Sequence, residues 1–167
     1  MTYNRKAAVQ YALAYALQPN PGYVYFDGND CSNFISQCLR AGGAQNDYNS
    51  THPWWYNNGQ ASICWAVASS LYWYIRTRSG ASRFGIKAQT FYLNDYDSYG
   101  REIRGKVVLG DLIQYRNTKG IIQHSTIITG FDKKGEPLVC QHTVNGKNLS
   151  WRKHFPQAIF HHITGIN

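Results

Sequence analysis

The sequence has no long apolar run and no recognisable leader pattern. None of its 167 residues belongs to a stretch approaching the ~20 consecutive apolar residues that a membrane-spanning helix needs, so no membrane span is expected. The N-terminus lacks the succession of charged, apolar and small residues that marks a secretory leader. If a leader or a larger parent protein has been trimmed away, we expect a secreted or cell-wall-associated protein.

Acidic residues are scarce. The chain has 9 Asp and Glu against 17 Lys and Arg, a formal net charge of +8. A basic surface favours an anionic partner such as a cell-wall polymer, a membrane surface or nucleic acid. The basic residues are scattered, and the densest groups are 76–78 and 133–134. Nucleic acid is therefore not the expected partner.

The four cysteines are too few for a disulfide scaffold in a chain of this size. Cys31 and Cys38 lie on one predicted helix about 10 Å apart, which is too far for a disulfide. Cys64 and Cys140 could pair only if the fold brings them together. Cys38, Cys64 and Cys140 stand among apolar neighbours and are predicted to be core residues. Zinc-type CxxC spacing does not occur, so we expect no metal and no cofactor.

Helical patterns come first and strand patterns last. We predict helices at about 4–17, at 31–41 and at about 62–78 with Ser62 as the cap. An irregular segment is predicted at 80–105, and strands at about 111–115, 123–131, 137–143 and 158–163. The turn spacing predicts an antiparallel meander. The expected fold is a single α+β domain over residues 1–167, with N-terminal helices packed on a C-terminal antiparallel β-sheet.

Cys31 is the best candidate nucleophile. Asp30 precedes it as a predicted N-cap, and the glycine pair 42–43 ends the helix. The partial positive charge of a helix N-terminus favours a thiolate and is expected to lower the pKa of the sulfur. The alternative is a buried cysteine used only for packing. The position directly behind a capping residue and a Gly-Asn turn favours the nucleophile.

Acyl transfer by a cysteine also needs a histidine and a polar group that orients it. His124 opens a predicted strand after a turn and can project into a cleft. His142, near the end of the neighbouring strand, can orient or replace His124. Asn145 and Gln141 are rival orienting residues.

Two further sets of residues are candidates. The Cys31 backbone N–H can donate to an oxyanion, with Tyr25 or Asn29 as a second donor. Trp54 and Trp55 can line a groove that stacks on sugar rings or peptide side chains, or their loop can fold back onto the domain. Trp65 and Trp73 share a predicted helix face and are expected in the core.

Several blocks of the chain resemble the bacterial "putative amidase domain" family. They are Phe26-Asp27-Gly28-Asn29-Asp30-Cys31-Ser32-Asn33-Phe34-Ile35-Ser36-Gln37, Gly110-Asp111-Leu112-Ile113-Gln114-Tyr115, His124-Ser125-Thr126-Ile127-Ile128-Thr129-Gly130 and Gln141-His142-Thr143. That family is similar to the papain-like superfamily, which includes NlpC-type peptidases and CHAP amidases. The resemblance therefore implies an NlpC/CHAP-like fold.

The resemblance implies Cys31 as nucleophile and His124 as general base, and we take His142 as the third member. The expected activity is cysteine-dependent cleavage of an amide bond in a peptidoglycan peptide or glycopeptide, through an acyl-enzyme. The alternative is an inactive papain-like module that binds cell-wall polymer through the aromatic loop. The presence of both Cys31 and His124 argues against that alternative.

Overall fold

The computed structural model describes residues 2–81 and 84–167, which form an α+β fold. A helical layer packs on one face of an antiparallel sheet. The helices are α1 Arg5–Tyr15, α2 Cys31–Ala41, α3 Ile63–Ala66, α4 Ala68–Ala81 and α5 Tyr99–Glu102, with a 3₁₀ turn at Tyr96–Ser98. The strands are β1 Tyr56–Asn57, β2 Gln60–Ala61, β3 Lys87–Leu93, β4 Leu112–Arg116, β5 Ile122–Phe131, β6 Pro137–Gln141, β7 Gly146–Ser150 and β8 Gln157–Gly165. Within the described residues, no helix is long and apolar enough to cross a membrane.

The large sheet has six strands in the order β3-β8-β4-β5-β6-β7, and every neighbouring pair is antiparallel. Strands β4, β5 and β6 are consecutive neighbours, as the predicted meander requires. The predicted position of its last strand is wrong, because β7 pairs with β6 and β8 inserts between β3 and β4. The prediction missed β7, and it missed β3 within the supposedly irregular segment 80–105. Both are edge strands, which pair on one side only, so their sequences lack the continuous apolar run of a central strand.

The predicted helix at 62–78 is two helices. Ser62 caps the first by accepting a hydrogen bond from the backbone of Trp65, as predicted, but Val67 is extended and α4 begins after it. This break changes the phase of the two tryptophans. Trp65 is fully buried, whereas Trp73 is 56 % exposed, so the prediction that Trp73 is a core residue is wrong.

Apolar side chains fill both faces of the sheet. The helix-side core contains the buried thiols Cys38, Cys64 and Cys140, as predicted, together with Trp54, Trp65, Leu112 and Ile127. The opposite face is covered by Ile113, Tyr115, Ile128, Val139, Trp151 and Phe160. Successive strand residues thus alternate between two cores.

The buried carboxylate of Asp111 joins α1 to the sheet. Its Oδ1 accepts hydrogen bonds from Arg5 Nη1 at 2.6 Å and from the backbone N of Ile163 at 3.0 Å. Its Oδ2 accepts from the backbone N of Val108 and from His162 Nδ1, both at 2.8 Å. All four partners are donors, so both oxygens must remain acceptors.

Replacing Asp111 by Asn should lower the free energy of unfolding by about 3 kcal/mol, because the new amide NH₂ faces donors and Arg5 loses its counter-charge. Urea unfolding followed by circular dichroism measures the change. Glu102→Gln is the control, since Glu102 is exposed beside Arg101 and should change stability by less than ~0.5 kcal/mol. Equal effects of the two substitutions would contradict this role of Asp111.

Candidate active site

Cys31 is the first residue of α2 and is 3 % exposed. Asp30 occupies the N-cap position, but its side chain makes no capping bond to the helix. Its Oδ1 instead accepts from the backbone N of Phe26 at 2.9 Å and from Asn33 Nδ2 at 2.8 Å. Asp30 therefore ties the loop before the helix to a side chain of the first turn, without capping a backbone N–H of the helix.

The Cys31 sulfur lies against the part of β5 that carries His124. Pairing between β5 and β6 runs from Phe131 to Ile127, so the first residues of β5 pair only with β4. At this free edge, Sγ of Cys31 lies 3.9 Å from the carbonyl oxygen of Gln123. The backbone amide of Ser125 also hydrogen-bonds to this sulfur. Cys31 thus contacts the backbone on both sides of His124.

Burial raises the pKa of the Cys31 thiol. Hydrogen bonds from Ser125 and Ser32 act in the opposite direction, and the negative charge of Asp30 raises the pKa further. The expected lowering by the helix terminus is therefore wrong for the resting protein, because the loss of solvation is the larger effect. Cys31 rests as a neutral thiol.

His124 is nearly buried, and Gln141 fixes its tautomer. Gln141 Nε2 donates to the carbonyl oxygen of Val144 at 2.8 Å, and Gln141 Oε1 lies 3.1 Å from His124 Nε2. Because the Val144 carbonyl can only accept, Oε1 must face the histidine as an acceptor. The proton of neutral His124 is therefore on Nε2, and Nδ1 keeps its lone pair.

His142 has different partners from those expected. Its Nδ1 lies 2.5 Å from Asp30 Oδ2, its Nε2 donates to the carbonyl oxygen of Tyr15 at 2.6 Å, and its ring stacks on Phe34 at 4.0 Å. Both ring nitrogens of His142 are occupied, so His142 does not hydrogen-bond to His124. The residue that does so is Gln141, one of the two alternative orienting residues. Adjacent residues point to opposite sides at the end of β6, and His142 points towards the helices.

The turn after β6 connects the two halves of this site. Thr143 Oγ1 accepts from the backbone N of Asp30 at 2.9 Å. Thr143 and Val144 have φ values of 56° and 59°, a conformation that β-branched residues rarely adopt. Strain of this kind persists where the surrounding structure enforces it. Here it places the Val144 carbonyl where Gln141 needs an acceptor.

A buried chain of polar side chains crosses the sheet beneath Cys31. Gln114 Nε2 donates to the carbonyl oxygen of Ala68 at 2.9 Å and to Ser125 Oγ at 3.0 Å. Its Oε1 therefore accepts from His161 Nε2 at 2.8 Å, and His161 Nδ1 accepts from the Thr90 hydroxyl at 2.9 Å. Burial lowers the pKa of His161 to about 3, which keeps it neutral. The donor and the acceptor of each hydrogen bond between Gln114, His161 and Thr90 are therefore determined.

The same chain ends at the sulfur. Ser125 Oγ accepts from Gln114 and lies 2.8 Å from Ser32 Oγ; either hydroxyl of this pair can donate, and one arrangement has Ser125 donating to Ser32. The Ser32 hydroxyl is then free to donate to Cys31 Sγ at 3.9 Å. Aligned hydrogen bonds strengthen one another in a medium of low dielectric constant. The chain is thus poised to stabilise negative charge that develops on Cys31.

A cavity of about 270 Å³ opens beside His124. Its walls include Gln123, Gln141, Thr143, Val144, Lys153 and Phe155. A larger groove of about 400 Å³ lies between α1 and the segment before β4, but among the described residues no histidine lines it, whereas His124 lines the smaller cavity. The smaller cavity is therefore the candidate substrate site.

The remaining candidates lie in different surroundings. Tyr25 and Asn29 are exposed just before Cys31, with the Tyr25 ring edge-on to His142 at 6.3 Å. Their role as oxyanion donors stays a prediction.

Trp54 does not line a groove. It is fully buried, its ring stacks on Tyr74 and its Nε1 donates to Ser36 Oγ at 3.0 Å. The placement of Trp54 in a groove is therefore wrong, because the Asp47–Trp54 bridge folds this loop onto the core. Trp55 is partly exposed and stacks on Tyr48, away from the cavity beside His124.

Comparison with known proteins shows that the chain belongs to the family described as "Putative amidase domain", whose profile matches residues 2–163. It is 34 % identical over 152 residues to the uncharacterized protein YhbB of Bacillus subtilis strain 168, covering 89 % of this chain and 44 % of that protein. It is 33 % identical over 135 residues to the uncharacterized protein YjcM of the same strain, covering 76 % and 28 %. The chain thus spans less than half the length of these relatives. No solved structure matches it.

Burial lowers the pKa of His124 to about 4, and the charge of Lys153 lowers it further. We expect the C2–H resonance of His124, assigned with His124→Gln, to titrate with a midpoint near pH 4, against ~6.5 in urea. Between pH ~6.5 and 4, His124 and His161 bind protons in the unfolded chain but not in the folded one. The free energy of unfolding should therefore fall as the pH decreases through this range. A folded-state midpoint near 6.5 would contradict the burial of His124.

Ser32→Ala should slow alkylation of Cys31 by iodoacetamide about fivefold, because the sulfur loses a donor and the polar chain loses its end. Mass spectrometry of the peptide containing Cys31 gives the rate. Ser36→Ala is the matched control, since Ser36 is a buried serine one turn further along α2 whose hydroxyl donates to the carbonyl oxygen of Trp65. Equal rates in the two variants would exclude the role assigned to Ser32.

Proposed function

We propose that this domain is a cysteine amidase or peptidase of the papain-like type. Cys31 is the nucleophile, His124 is the general base, and Gln141 orients the imidazole. The observation that carries the proposal is that the thiol at the start of α2 contacts the segment of β5 that bears His124. That histidine is neutral and has a fixed tautomer. Membership of the amidase family supports the same chemistry.

The resting groups favour general-base catalysis over a preformed ion pair. Burial raises the pKa of Cys31 and lowers that of His124, so both are neutral near pH 7. His124 Nδ1 accepts the thiol proton as the sulfur attacks the amide carbonyl. The C–S bond forms, the C–N bond breaks, and the same proton passes to the leaving amine. Water, activated by His124, then releases the acid from the acyl-enzyme.

Two groups of donors support the charge that develops in this reaction. Ser32 and the backbone of Ser125 donate to the sulfur. The backbone N–H of Cys31 belongs to the first turn of α2, where amides have no partner within the helix, and it can donate to the oxyanion. Tyr25 and Asn29 are the nearby side chains that can add a second donor.

The proposed substrate is an amide bond in a cell-wall peptide or glycopeptide. The net charge of +8 suits an anionic polymer, and the resemblance to NlpC-type peptidases and CHAP amidases implies this class. The cavity of about 270 Å³ is close to the lower limit of ~300 Å³ for ligand sites, so it accommodates a short segment. An inactive wall-binding module remains the alternative, although the burial of Trp54 removes one of the two tryptophans proposed for it.

The test is release of soluble fragments from purified peptidoglycan and its isolated stem peptides, followed by mass spectrometry. We expect cleavage by the native protein and a loss on the order of 10³-fold or more in Cys31→Ala, because no other group can form the acyl-enzyme. Cys64→Ala is the matched control, as Cys64 is a buried free cysteine on α3. Undiminished cleavage by Cys31→Ala would reject the mechanism, and wall binding without cleavage by the native protein would favour the binding module.

A further inference from the structure

Lys153 is a half-buried lysine in the wall of the cavity beside His124. It lies in the segment between β7 and β8 and faces the same space as Val144 and Phe155. Within residues 2–81 and 84–167, no hydrogen bond or ion pair to Lys153 is formed. The residues lining this cavity include no Asp or Glu. A lysine that loses solvation normally gains a partner, and this one has none within the chain.

The backbone that carries Lys153 is firmly anchored. Two residues earlier, Trp151 is fully buried, its ring stacks on Tyr96 at 4.9 Å and its Nε1 donates to Glu136 Oε1 at 2.8 Å. The Trp151 carbonyl accepts from the Tyr115 hydroxyl at 2.6 Å. Lys153 is therefore held at the cavity by the core on the far face of the sheet.

The ammonium group is also close enough to His124 to affect it. The charge of Lys153 contributes to the low pKa of the imidazole. The Tyr115 ring lies 5.9 Å from the His124 ring and 5.5 Å from the Phe155 ring, so it contacts both residues of the cavity wall. A group bound to Lys153 would therefore lie in the cavity that His124 lines. Lys153 itself is half-buried and has lost part of its solvation, which strengthens an ionic contact there.

We propose that Lys153 binds a carboxylate of the substrate, so that the enzyme acts on amides or peptides that carry a free carboxylate next to the scissile bond. The inference rests on the proposed function, because it takes the cavity beside His124 as the substrate site. Lys153 selects the substrate and takes no part in proton transfer. Arg can replace it in charge, whereas Gln keeps a polar end without the charge.

Charge selectivity at Cys31 tests the proposal without knowledge of the natural substrate. Iodoacetate and iodoacetamide alkylate a thiol with loss of iodide and differ chiefly in one negative charge. We expect the ratio of their rates at Cys31 to fall on the order of fivefold in Lys153→Gln and to be retained in Lys153→Arg. Lys134→Gln, an exposed lysine in the turn between β5 and β6, is the control and should leave the ratio unchanged. A ratio in Lys153→Gln equal to that of the control would overturn the proposal.

A second measurement separates this proposal from the proposed function. If neither reagent modifies Cys31, the assignment of the nucleophile fails, and the Lys153 site is tested in Cys31→Ala by NMR. N-acetylglycine and N-acetylglycinamide are titrated into that variant. We expect the carboxylate to shift the backbone amides of Val144 and Phe155 more strongly than the neutral amide does, and we expect the difference to vanish when Lys153→Gln is added. Equal responses to the two compounds would reject the carboxylate site.

Discussion

The buried carboxylate of Asp30 is the interaction on which the rest of the site depends. It binds the backbone of Phe26, the side chain of Asn33 and the ring of His142, while its own backbone N–H donates to Thr143. The next residue in the chain is Cys31. One carboxylate therefore fixes the start of α2 against the turn after β6. Removing it would leave several buried donors without an acceptor, which is why such groups are hard to replace.

That contact also affects His124, the proposed general base. The turn held by Asp30 places the Val144 carbonyl, the carbonyl orients Gln141, and Gln141 sets the tautomer of His124. On the helix side, the hydrogen-bonded side chains from Thr90 to Ser32 end at the Ser32 hydroxyl, which lies 3.9 Å from the Cys31 sulfur. Cys31 and His124 are thus each held by a separate hydrogen-bond network, and the two networks meet at β5. Burial raises the pKa of Cys31 and lowers that of His124, so it disfavours the charged form of both groups.

Much of this arrangement could be predicted from the sequence. Capping and turn residues gave the helix that begins at Cys31, and alternation gave the central strands and the β4-β5-β6 part of the meander. Edge strands β3 and β7 were missed because a strand paired on one side has a weak apolar pattern. His142 was taken as the partner of His124, whereas the structure gives Gln141, because the two are neighbours in the sequence and only the end of β6 decides which side each one faces.

The misplaced residues have similar explanations. Trp54 was assigned to a groove because a polar loop surrounds it, yet the bridge to Asp47 turns its ring into the core. Ser32, Gln114 and Lys153 were not recognised as candidates. The available signal for Gln114 and Ser125 was a polar residue at the buried phase of a strand, which requires a polar partner. Lys153 offered no signal, because its burial depends on how Trp151 anchors the segment between β7 and β8.

The central claim is that His124 takes the proton of Cys31. The most direct measurement is the rate of alkylation of each cysteine by iodoacetamide between pH 5 and 9, mapped by mass spectrometry in the native protein and in His124→Gln. Although all four thiols are buried, the account predicts that Cys31 reacts faster than Cys38, Cys64 and Cys140 because His124 takes its proton, and that His124→Gln slows Cys31 on the order of tenfold or more. Equal rates with and without His124, or a Cys31 no more reactive than the other three, would contradict it.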